Sequence, residues 1–288
     1  RNKFSLHQLI VALKILKQST NFLNNCYRMV KKNEYCREEL ESFKEMFSMT
    51  TNHLKNIQKE LKQKNESISQ SVAYAQKIQE QMVPAIEVNG CSLKDIYYYL
   101  KQRDSIGGDF IYISENNEWI LFGLMDCTGH GIPGALLSMM GYNFLNDIVI
   151  NDKYYMPNKI LEELDQRFRN YFSLNKTTEP LQDGMDGIIC GFHKQKKILY
   201  YSMAGRPLWY KQDNLWKKHR PDRNSIGGLR KSNFTLHELN LKNGLEFFIF
   251  SDGLSDQFGG PKNKKFLAKR IMDHLKSMQH YSLSEKGE

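Results

Sequence analysis

One stretch constrains this chain more than any other. Trp119 to Met125 reads WILFGLM, an almost unbroken apolar run, and it breaks at once into Asp126-Cys127-Thr128-Gly129-His130-Gly131. An apolar run of this length ending in a polar, glycine-rich turn predicts a buried strand, and the turn puts a carboxylate at its mouth. Asp126 follows Asp109 of Gly107-Gly108-Asp109-Phe110 by 17 residues, the spacing of two neighbouring strands. Far downstream, Glu246 to Ser251 (EFFIFS) is a second buried-strand run that finishes on Asp252-Gly253, followed by Asp256. Three strands are thus expected to deliver one carboxylate each. An Asp-Gly pair after a strand is also ordinary turn chemistry, so each aspartate taken alone has that plainer reading.

Hard divalent cations such as Mg²⁺ and Mn²⁺ prefer oxygen ligands, and Mg²⁺ keeps several waters. A few convergent carboxylates therefore make an open site for such an ion, and a site of that kind can run hydrolysis.

The segments IGGDF, MDCTGHGIPGALLSMMG, DGMDG, SMAGRPLW, SIGG and FSDGLSDQFGG resemble, in this order, the motifs of the PPM-type (protein phosphatase 2C-like) metal-dependent serine/threonine phosphatases. The spacing and the GHG after the second aspartate are similar to the bacterial SpoIIE-type branch, whose members act on phosphoproteins in partner-switching pathways. The match runs from about Tyr74 to Phe266. DCTGHG and SDGLSDQFGG in one chain are specific, whereas GGDF or SIGG alone is weak.

The resemblance implies two ions, Mn²⁺ or Mg²⁺. Asp126 would bridge them, the backbone carbonyl of Cys127 would complete one, Asp252 would bind the second, and Asp109 would touch a metal or hold its water. The implied mechanism is in-line attack by a metal-bridged water. His130 is the nearest candidate acid for the leaving alkoxide, and a helix-capping or loop-packing histidine is the alternative. The implied substrate is a phosphoserine or phosphothreonine on a partner protein, with a phosphorylated anti-sigma-factor antagonist as the leading class. Asp183 and Asp186 of DGMDG are read as turn and register residues away from the ions.

The family ends in a further strand carrying an Asp-Asp pair, and here residues 266–288 show a helical pattern instead (Phe266, Ile271, Leu275, Met278). Either the sequence is a fragment, as a first residue other than methionine also suggests, or the second metal site is incomplete. The second case describes a different class of protein, a phosphatase-fold module that binds a signalling partner without hydrolysis.

The amino-terminal third has another character. Neither proline nor glycine occurs before Pro84, so a helix can run to that residue. From Leu40 an apolar residue recurs at every seventh place: Phe47, Leu54, Leu61, Ile68, Ala75 and Met82. That is a coiled-coil seam, weakened by Thr50, Lys64 and Ser71 at alternate seam positions, and it predicts a parallel homodimer. A helix lying along its own domain is the alternative. The expected organisation is a helical segment over 1–39, a coiled-coil signalling linker over 40–83 and a phosphatase-type domain over 84–288. The fold class expected for that domain is α+β, an antiparallel β-sandwich flanked by α-helices.

The net charge of +9 is uneven, with 14 Lys/Arg against 8 Asp/Glu in residues 1–83. The excess is spread along a helical pattern without interleaved aromatics, which argues against nucleic acid and suits a solvated or juxtamembrane helix. No run approaches the roughly 20 apolar residues of a membrane span. Five cysteines without paired metal spacing suit a reducing cytoplasm, with any membrane anchoring left to an upstream domain.

Overall fold

The computed structural model describes residues 6–30, 37–82, 96–173, 183–212, 215–228, 231–240, 246–259, 263–278, 280–282 and 285. The helix stop expected at Pro84, the domain boundary there, Cys36 and Cys91 lie outside them. The chain divides into two compact units, Arg1–Ser71 and Val72–Glu288.

The first unit is helical. It holds α1 (Leu6–Val30) and most of α2 (Arg37–Glu80), whose residues from Val72 onward belong to the second unit. Along α2 the seam residues Leu40, Phe47, Leu54 and Leu61 are half-buried, while Met49 and Ile68 are exposed. The polar seam residues Thr50 and Ser71 return their hydroxyls to the carbonyls of Met46 and Ser67, so neither interrupts the helix.

The second unit is built on a five-stranded antiparallel sheet in the order β1-β2-β3-β4-β7: β1 Asp109–Glu115, β2 Trp119–Cys127, β3 Met185–His193, β4 Ile198–Ala204 and β7 His237–Asn240. A three-stranded sheet, β6-β5-β8, comprises β5 Leu208–Gln212, β6 Leu215–His219 and β8 Glu246–Phe248. Side chains alternate across a strand, and here each face of the large sheet has its own cover. Leu121 and Met125 meet α3 (Gly131–Asn146) and α4 (Pro157–Ser173). Ile120 and Phe122 face Leu208, Tyr210 and Phe247 of the smaller sheet. Trp209 and Phe248, on that sheet's far side, pack on Ile271 and Leu275 of α6 (Leu267–Ser277). The layers are helix, sheet, sheet, helix, the expected sandwich. They explain why β2 reads as a continuous apolar run: it lies between two covered faces.

Two expected strands are shorter than their apolar patterns. The ladder of β8 stops at Phe248, opposite Trp209 of β5. The run from Phe234 pairs only from His237, because Thr235 turns its N–H and hydroxyl to the Asp222 carboxylate and its carbonyl to Ser202. Side chains there satisfy groups that a ladder would otherwise need. A two-residue hairpin, β9 (Phe258–Gly259) with β10 (Lys264–Lys265), was not expected; α5 (Asp252–Ser255) precedes it.

One buried charge anchors a loop of the second unit. Asp165, in the middle of α4 and fully buried, accepts the backbone N–H groups of Gly227 and Ser232 and pairs with Arg169 at 2.9 Å. The loop it holds bridges Ile226 to Met185 at the start of β3. Removing the carboxylate leaves buried donors unmet, so Asp165→Ala is expected to cost about 3 kcal/mol. Urea unfolding of the variant beside the parent measures this.

Candidate functional site

Strand register assembles the site. Asp109 at the start of β1 pairs with Asp126 near the end of β2, and Asp126 pairs with Asp186 near the start of β3. Residues directly opposite in adjacent strands share a face, so three carboxylates stand on one rung, with strands spaced about 4.8 Å apart. Like charges placed this way repel, and the electrostatics register it. Burial, then the charge of Asp109, pushes the Asp126 carboxyl up to about 7, with Asp252 adding to the rise and Arg206 opposing it.

Asp252 reaches the rung from the other sheet. It opens α5, and the preceding Ser251 donates its hydroxyl to Asp109 Oδ2 at 2.6 Å, tying the end of the β8 segment to the start of β1. Asp256 turns away and pairs with Lys265 at 2.8 Å.

The cation among these groups is Arg206. Its Nη2 lies 2.5 Å from Asp126 Oδ2 and 2.8 Å from Asp252 Oδ2, and its Nε is 3.9 Å from Asp186 Oδ2. Arg206 sits in the turn between β4 and β5, and Gly205 makes that turn possible. At φ +69° it occupies left-handed backbone, and a Cβ there would fall 2.4 Å from Asp186. Ser225 secures the other side of Asp186, donating to Oδ1 at 2.6 Å.

The turn after Asp126 is packed backbone to backbone. A Cβ on Gly108 would lie 2.8 Å from the carbonyl oxygen of Cys127, so only glycine lets the two segments approach. Thr128 donates its backbone N–H to the Gly184 carbonyl, and its hydroxyl accepts the Gly184 N–H at 3.2 Å and donates to Asp183 at 3.0 Å, which gives Asp183 a turn-holding place. The Cys127 thiol is buried and held protonated, by burial first and then by the Asp126 and Asp109 charges. His130 precedes α3 but caps no helix N–H with its side chain; its Nδ1 lies 3.1 Å from Asp104 Oδ2, and it is exposed.

Behind the rung, Gln79 near the end of α2 is buried. Its Nε2 donates to the Gly107 carbonyl at 2.7 Å and to Ser138 Oγ of α3 at 2.9 Å, and its Oε1 accepts the Gly107 N–H at 3.2 Å. This one amide joins α2, the Gly107-Gly108-Asp109 turn and α3.

Among the described residues no three Asp, Glu, His or Cys side chains form a closed metal cage. The carboxylates are linked instead through Arg206. Their chemistry nonetheless fits a hard divalent cation: every donor is oxygen, and the cluster carries more negative charge than one guanidinium offsets. Of the expected site residues, Asp109 and Asp126 are opposite each other by register, and Asp126 and Asp252 share the Arg206 Nη2. Arg206, Ser251 and Gln79 were not singled out, and Asp186, expected to be a turn residue away from the ions, is set by register directly opposite Asp126.

The family model described as "Stage II sporulation protein E (SpoIIE)" matches residues 117–286. Among solved structures, the chain is similar to the SiaA-PP2C domain of Pseudomonas aeruginosa, with a TM-score of 0.69 and 27% identity over 77% of this chain and 87% of that one. It is also similar to the PP2C phosphatase domain with a regulatory-domain fragment of SpoIIE from Bacillus subtilis, with a TM-score of 0.48 and 16% identity over 59% of this chain and 48% of that one. The serine/threonine phosphatase of S. agalactiae gives a TM-score of 0.47 and 16% identity over 67% and 92% of the two chains. No curated protein matches the chain.

A methyl group at Gly205 would collide with Asp186, so Gly205→Ala is expected to lose about 1–3 kcal/mol of stability. Gly259→Ala, whose Cβ meets open space, should stay within about 0.5 kcal/mol of the parent in the same denaturant titration.

Proposed function

The chain belongs to the stage II sporulation protein E (SpoIIE) family and has a PP2C-like fold, and on that footing we propose that it is a metal-dependent protein serine/threonine phosphatase. The observation that carries this reading is the rung of Asp109, Asp126 and Asp186 joined by Asp252. An acidic rung near the mouth of a buried strand is costly without cations, and cations held there would offset the charge of a phosphoryl group.

Asp126, Asp109, Asp252 and the carbonyl of Cys127 would hold Mn²⁺ or Mg²⁺. Such cations supply an activated water and offset charge on phosphoryl oxygens. The chain's own residues do the rest. Ser251 fixes the Asp109 carboxylate, and the Gly108 contact fixes the Cys127 carbonyl. His130 donates a proton to the leaving serine or threonine oxygen. Its Nδ1 faces Asp104, which leaves Nε2 for the transfer.

The substrate is a phosphorylated partner protein, with an anti-sigma-factor antagonist as the leading class. The linker helix regulates the site as a homodimer: the seam of α2 pairs two chains, and Gln79 passes a change of packing to Gly107 and α3. No helix among the described residues is long and apolar enough to cross a membrane.

Hydrolysis of an aryl phosphate by this chain is expected with Mn²⁺ or Mg²⁺ and to vanish with chelator. Asp126→Asn should lower the rate at least about a hundredfold. Metal-independent turnover would remove the metal reading, and no turnover under any condition would favour the non-hydrolytic binding module. Replacing Leu54 and Leu61 with Glu should convert a dimer to a monomer in sedimentation velocity; an unchanged sedimentation coefficient would remove the seam from the account.

A further inference from the structure

We propose that Arg206 is a built-in counter-cation of the carboxylate rung, with which a divalent cation competes for the same oxygen atoms. The inference rests on the metal reading above and concerns how the site is loaded. One guanidinium nitrogen, Nη2, serves Asp126 Oδ2 and Asp252 Oδ2 together, at 2.5 and 2.8 Å. An oxygen that accepts a charge-assisted bond has that lone pair engaged, and it cannot ligate a metal in the same direction.

Arg206 is placed for this task by the backbone. Gly205 donates its N–H to the Asp222 carbonyl and Arg206 donates its own to Ala204, so the turn presents the side chain over the ends of β2 and β3. The guanidinium is mostly buried, at 18% exposure, and acidic groups surround it: Asp126, Asp252 and, more distantly, Asp186. Yet its buried Nε makes no hydrogen bond. An arginine serving only to brace the fold would be expected to have that donor met. This one is held chiefly through the nitrogen that faces the candidate metal ligands. Because a guanidinium is always charged at working pH, loss of its proton cannot release it. Exchange for another cation can.

Two consequences follow. Without metal, Arg206 keeps opposed carboxylates from forcing the rung apart, so the site is already assembled when the cation arrives. In return the cation binds more weakly than the carboxylates alone would allow, since it must break both bonds to Nη2.

The test is a Mn²⁺ titration of the 288-residue chain followed by electron paramagnetic resonance, which counts free ion and needs no substrate. Arg206→Gln is expected to bind Mn²⁺ at least about tenfold more tightly than the parent, because neither contact to Nη2 has to be broken. The same variant should melt at a lower temperature than the parent without metal and recover the difference with Mn²⁺. Arg206→Lys keeps a charge without the planar fork and should fall between the two, which keeps the test decisive where the glutamine variant fails to fold. A parent that binds Mn²⁺ while neither variant binds it more tightly overturns this inference and leaves the metal reading standing. Absence of Mn²⁺ binding by parent and variants alike overturns both.

Discussion

Repulsion among aspartates on one rung of a sheet is the constraint on which the rest of this structure depends. Asp109, Asp126 and Asp186 are neighbours by register, so no side-chain rotation alone can carry them far apart. A fold does not place three carboxylates together without compensation. Here the compensation is Arg206 and the hydroxyls of Ser251 and Ser225, and the strain of the arrangement shows in the Asp126 carboxyl, which burial and then Asp109 raise to about 7. Each of these is a local answer to excess negative charge, and together they mark where a divalent cation would relieve the cluster.

The sandwich supplies the rigidity that holds such a rung. β2 is covered by α3 and α4 on one face and by the smaller sheet on the other, so its end cannot retreat from the charge it carries. Backbone contacts then fix the turn beyond it, with Gly108 against the Cys127 carbonyl and Thr128 against Gly184. Asp165 plays the complementary part from α4, pinning the loop whose Ser225 braces Asp186. Gln79, near the end of α2, ties that helix end to the Asp109 turn and to α3 through a single side chain.

Much of this was legible in the sequence because it follows from one-dimensional pattern. A strand buried on both faces must read as a continuous apolar run, so β2 and its terminal carboxylate could be read directly from residues 119–126. The helices α3 and α4 likewise announce themselves by length and apolar content. What could not be read depends on pairing between distant segments. Asp186 looks like a turn residue until β3 is set beside β2 in register. Arg206 lies in a motif read for its glycine, and its reach across to Asp126 and Asp252 is a fact of three dimensions. Asp165 hides among the polar residues of an amphipathic helix, and only burial reveals it. The shortened β8 and β7 show the converse: apolar residues at 249–250 and at 234 are packed as expected, but neither ladder includes them.

The most direct measurement is anomalous X-ray diffraction at the manganese edge from crystals of this chain equilibrated with Mn²⁺. The account predicts an anomalous peak among the carboxylates of Asp109, Asp126 and Asp252, with the Arg206 guanidinium no longer bridging Asp126 and Asp252. A fully soaked crystal with no peak at these residues, and Arg206 still in place, would contradict it.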